Sequence, residues 1–94
     1  MKKVFQLTHP KIKPARLADS IRSEVKRYVQ RERRKELPEG ADFWDFDCRF
    51  GVSAEEATKV HELELPKCIA AAEAQGLESF YIEILARPGY RTEK

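Results

Sequence analysis

Cysteine is scarce in this chain, and its placement suggests neither metal nor redox chemistry. Only Cys48 and Cys68 occur, too far apart for the close pair that would mark a zinc or disulfide-exchange site. Each is expected to behave as a small buried hydrophobe. Long apolar runs are missing too. None approaches the ~20 residues needed to span a bilayer, so no membrane partner is expected. The start, Met1-Lys2-Lys3-Val4-Phe5, reaches polar Gln6 and Thr8 within a few residues, which leaves no apolar core for a signal peptide. The expected compartment is the cytoplasm.

Catalytic signatures are equally thin. His9 and His61 are the only histidines, and no Ser, Cys or Asp stands at a spacing that suggests a triad. Asp45 and Asp47 point the same way at i, i+2, but no Gly-rich calcium loop accompanies them. No catalytic residue, no cofactor and no metal is therefore expected, and an enzymatic role has no positive support. His61 shares the alternation of Leu63 and Leu65, which reads as a half-buried core position.

What is present is a globular composition, 41% apolar and 36% charged, with ten per cent aromatic residues. That is too aromatic for a disordered chain. Ninety-four residues suit one domain, 1–94, with a short polar tail from about residue 88. The net charge of +2 hides a segregation. Residues 1–35 hold twelve Lys/Arg against three Asp/Glu, a net +9, whereas residues 36–94 hold six against thirteen, a net −7. Solubility explains charge; it does not explain separation.

Periodicity places the elements. Lys3 to Thr8 reads as a strand, ended by the prolines of His9-Pro10-Lys11-Ile12-Lys13-Pro14. A helix then runs from Pro14 to about Leu37, with Leu17, Ile21, Val25, Tyr28 and Val29 forming its apolar stripe. Gln30 to Glu36 carries no apolar residue, so the last two turns are expected to overhang the sheet. Phe43 to Phe50 and Ser79 to Arg87 alternate as half-buried strands. The stretch 53–64 is ambiguous between strand and helix; the preferred reading is a strand from about Thr58 to Glu64, then a helix from Pro66 to Gln75. The fold class is α+β. The element order is β-α-β-β-α-β, the ferredoxin-like pattern, a two-layer sandwich with two helices on one face of an antiparallel sheet. The alternative is a three-stranded sheet with a broken second helix.

The basic helix carries the strongest functional signal. At 100° per residue, Arg16, Arg27 and Arg34 share one azimuth opposite the apolar stripe, flanked by Arg31. Arginine predominates over lysine, and its planar fork suits phosphate. Lys11, Lys13 and Arg16 surround the helix start, where free N–H groups favour an anion. The anion-binding set is thus Lys11, Lys13, Arg16, Arg27, Arg31, Arg34 and Lys35, and Arg87 and Arg91 are expected to join its far end in one basic rim. The sheet's open face should be acidic, through Asp45, Asp47, Glu62, Glu64 and Glu83, and so should repel phosphate. The strand motif of sheet-face RNA binders is absent as well.

The segments FQLTHPKIKPARL, LPEGADFWDFDCRFG and LESFYIEILARPGYR resemble a family of short bacterial proteins, a domain of unknown function. The likeness covers almost the whole chain. It implies a bacterial cytosolic origin and a stand-alone domain, and it supplies no binding residue. From the residues alone, the expected role is an accessory module binding RNA or another polyanion without strong sequence reading. Two other classes stand beside it. One is a protein-interaction or self-assembly module, with a basic protein or a second copy on the acidic sheet face. The other, with least support, is an enzyme acting on a phosphorylated small molecule at the Lys11/Lys13/Arg16 loop.

Overall fold

The structure, a computed structural model, describes residues 1–91. Strand β1 (Lys2–Gln6) leads to helix α1 (Pro14–Arg33), strands β2 (Phe43–Gly51) and β3 (Thr58–Val60), a 3₁₀ turn (Glu62–Glu64), helix α2 (Leu65–Ala74) and strand β4 (Ser79–Gly89). The chain is α+β, as the periodicity predicts: two helices and a four-stranded antiparallel sheet. Residues 53–64 resolve into a loop, the short β3 and the 3₁₀ turn. The tail expected from about residue 88 begins later, because Pro88 and Gly89 still pair with Trp44 and Phe43. Its final residues, 92–94, lie outside the described residues.

The sheet order is β1-β4-β2-β3, so the ferredoxin-like expectation holds for the succession of elements and not for their order across the sheet. A ferredoxin-like sheet has its first and third strands in the middle; here β4 and β2 are central. The reason is length. β2 and β4 pair over nine positions, whereas β3 has three residues and β1 has five, two of them lysines. Short strands and strands carrying lysine suit an edge, where a row of unpaired backbone groups must be discouraged from further pairing.

One sheet face and both helices share the core. Phe46 and Cys48 from β2, Phe80, Ile82 and Ile84 from β4, and Phe5 and Leu7 from the first segment meet Ala18, Ile21, Val25 and Val29 of α1 and Ile69 and Ala72 of α2. Phe80 is fully buried, its ring centroid 5.9 Å from that of Phe5 and 5.1 Å from that of Phe50. Burial drives the Cys48 thiol up to about 11, with the Glu62, Asp47 and Asp45 carboxylates adding to it; burial likewise raises Cys68, helped by Glu64.

Helix α1 stops four residues short of the expected Leu37. Beyond Val29 it has no apolar side chain to bury, and helices this size are held by packing more than by propensity. At the end, the Arg34 N–H donates to the Arg31 carbonyl at 3.2 Å and the Lys35 N–H to that of Glu32 at 3.3 Å. The Trp44 indole then donates to the Lys35 carbonyl at 2.8 Å, fastening the departing chain to β2. The expected overhang is not found: Arg33 of the last helical turn lies 5.2 Å from the Phe46 ring centroid of β2 and pairs with Glu62.

Candidate polyanion-binding surface

The sequence confines polar residues of α1 to the side away from the core, and the structure keeps them there. Arg16, Arg27, Arg31, Arg34 and Lys35 are exposed, as are Lys11 and Lys13 in the preceding loop. These seven predicted residues do not form one cluster. Lys11, Lys13 and Arg16 sit at the start of α1, and Arg27 follows Arg16 by eleven residues, about 16 Å along the axis. Lys13 caps the helix through its backbone only, and the first turn contains no acidic residue. His9 folds back locally, its Nδ1 accepting the Lys11 N–H at 3.0 Å.

The far group is tighter. Arg27, Arg31 and Arg34 line one groove of about 610 Å³ with Met1, Glu24, Tyr28 and Gln30. Tyr28 was expected only as part of the apolar stripe, yet it organises this wall. Its hydroxyl accepts from the Met1 ammonium at 3.0 Å, and the Arg31 guanidinium lies 5.4 Å from its ring centroid. The i, i+3 spacing of Tyr28 and Arg31 was the available sequence signal for that stacking. Glu24, the carboxylate on the same wall, is engaged by Lys3 at 2.9 Å.

Ion pairing separates the cations. Among the described residues, Lys11, Lys13, Arg16, Arg27 and Arg34 have no carboxylate within 4.0 Å. Arg31 has only Glu32 at 3.9 Å. Lys35 differs: it pairs with Glu32 at 2.8 Å and stands apart from the groove. On the flank of α1 facing α2, Arg22 pairs with Asp19 and Arg33 with Glu62, while Lys26 between them has no carboxylate within 4.0 Å among the described residues.

The sheet's open face departs from the acidic surface read from the sequence. Glu62 and Glu64 leave the sheet altogether, because β3 ends at Val60 and the chain turns into the 3₁₀ segment. There Glu64 closes a capping box with His61. The His61 N–H donates to its carboxylate at 2.9 Å, and His61 Nδ1 accepts the Leu63 N–H at 3.1 Å. His61 is therefore an exposed cap and not a half-buried core residue. Asp45 and Asp47 are both held by Arg87, at 2.8 and 2.9 Å. Arg87 thus belongs to the sheet face, not to the basic rim at the end of α1. Arg91 donates its backbone N–H to Asp42 at 2.7 Å. Glu83 accepts from the Tyr81 hydroxyl, which raises the phenol. With Lys2 and Arg49 opposite Glu83 in the register, signs alternate across the face.

The chain belongs to DUF6172, a family of unknown function, matched over residues 1–94. No curated protein and no solved structure matches it. No helix among the described residues is long and apolar enough to cross a membrane.

Proposed function

We propose that this protein is a bacterial cytoplasmic accessory module that binds RNA or another polyanion along the exposed ridge of α1, without strong sequence reading. The observation that carries the reading is the separation of paired from unpaired cations. Arg16, Arg27 and Arg34 share one azimuth of α1, and they, with Lys11 and Lys13 of the preceding loop, face no carboxylate within 4.0 Å among the described residues. A merely solvated helix would interleave its charges, as Arg22 with Asp19 and Arg33 with Glu62 do on the α2-facing flank. Unpaired guanidiniums in a row instead suit a phosphate backbone, which supplies affinity with little sequence information. The ridge offers no aromatic platform for splayed bases, since Tyr28 is covered by Arg31; the contacts it favours are to backbone. The free thiols of Cys48 and Cys68 suit a reducing compartment.

Charge reversal tests this. Replacing Arg27 and Arg34 together by Glu turns two contacts into two repulsions, and affinity for a structured RNA at 50 mM salt should fall at least about 100-fold. Both side chains are exposed, so the urea midpoint should move little. Unchanged RNA affinity in the double variant would overturn the reading.

A further inference from the structure

We propose that the Arg27–Arg31–Arg34 groove binds a phosphomonoester: the terminal phosphate of an RNA strand, or that of a free nucleotide. For the RNA end, this rests on the polyanion reading above. An internal phosphodiester continues in both directions and is best met by a convex line of charges, which the Arg16 end of α1 supplies. At the other end the cations follow one another along the α1 wall of a groove that Met1 also lines. Three guanidiniums line a groove of about 610 Å³, within the ~300–1,000 Å³ of small-molecule sites. Set at i, i+4 and i+7 on one helix, they offer several N–H donors to a single group lying beside α1.

A terminal phosphate is the group that exploits such a site. It carries about −1.5 to −2 charges at pH 7 and three free oxygens, whereas an internal diester carries a single charge. The groove's own carboxylate does not oppose it freely, because Lys3 holds Glu24 at 2.9 Å. The C-terminal end of α1 contributes roughly half a negative charge, which three guanidiniums outweigh. Arg31 is braced over the Tyr28 ring, which fixes the plane of one fork and lowers the entropy lost on binding.

The test uses one short ribo-oligonucleotide in three forms: 5′-phosphorylated, 3′-phosphorylated and with both ends hydroxyl. Anisotropy gives Kd for each at equal salt, and AMP and inorganic phosphate are titrated separately by amide NMR. One phosphorylated form should bind about tenfold tighter than the hydroxyl form. Arg31→Gln should abolish that preference. Arg16→Gln should weaken all three forms alike and leave the preference intact. The preference should also shrink below pH 6, where the monoester takes up its second proton.

Equal Kd values for all three oligonucleotides would overturn the groove's assignment while leaving the ridge reading standing. Saturable AMP or phosphate shifts at residues 27–34 with no oligonucleotide binding would support the groove for a free phosphomonoester and overturn the ridge reading. No binding of any probe would overturn both.

Discussion

Two charged surfaces lie on opposite layers of this molecule, and they resolve their charges differently. On the sheet's open face Arg87 reaches both Asp45 and Asp47, and Glu83 takes the Tyr81 hydroxyl. On the outer side of α1, Arg16, Arg27 and Arg34 are strung along one line of the helix with no such partner among the described residues. The lesson is that a count of charges does not distinguish a binding surface from a solvated one. Local pairing does. The +9 first third contains both kinds: Lys3, Arg22, Arg33 and Lys35 pair with carboxylates within the fold, whereas Lys11, Lys13, Arg16, Arg27 and Arg34 mark the surface that can meet a partner.

The largest expected effect strikes the core under both surfaces. Phe80 is fully buried between the Phe5 and Phe50 rings, and Phe80→Ala should lower unfolding free energy in urea by about 3–5 kcal/mol. A loss below about 1 kcal/mol would mean that the sheet and α1 do not share the packing described. A smaller effect separates the surfaces. Arg87→Gln should leave RNA affinity unchanged and cost at most about 1 kcal/mol of stability, because its ion pairs are roughly half exposed. If Arg87→Gln weakened RNA binding as much as the Arg27/Arg34 reversal, the contrast between the faces would be lost.

The smallest effect appears only in alkali. The ordinary thiol value is near 9, and Cys48 is raised to about 11, chiefly by burial. Between those values the unfolded chain releases a proton that the folded chain keeps, so stability is untouched below pH 9 and falls as pH rises towards 11. The raised Tyr81 phenol acts in the same direction. Thiol-reagent kinetics check the assignment: native Cys48 should react slowly at pH 8 and faster as pH increases.

Much of the fold was legible because its pattern is local. The alternation of Trp44, Phe46, Cys48 and Phe50, and of Phe80, Ile82 and Ile84, identifies strands that bury one face. The stripe Ile21, Val25 and Val29 identifies α1. Sheet order was not legible from the succession of elements, since β1-α1-β2 can bracket either a third or a fourth strand. Strand lengths hold the clue, with β2 and β4 pairing over nine positions. Residues 58–64 misled because His61, Leu63 and Leu65 alternate while serving a cap and two turns. The azimuths of Arg16, Arg27 and Arg34 were readable from helical periodicity alone. Which cations were already spent was not, because Arg33–Glu62 and Arg87–Asp45 join residues distant in sequence. Nor was the groove beside Tyr28, which needs Met1 and α1 brought together in space.

The salt dependence of RNA binding tests the central claim most directly. With about five unpaired cations engaging phosphates, log K against log[salt] should have a slope of roughly −3.5 on a single-stranded RNA, a loss of about 100-fold between 50 and 200 mM. A slope near zero, or no binding at 50 mM, would contradict the account.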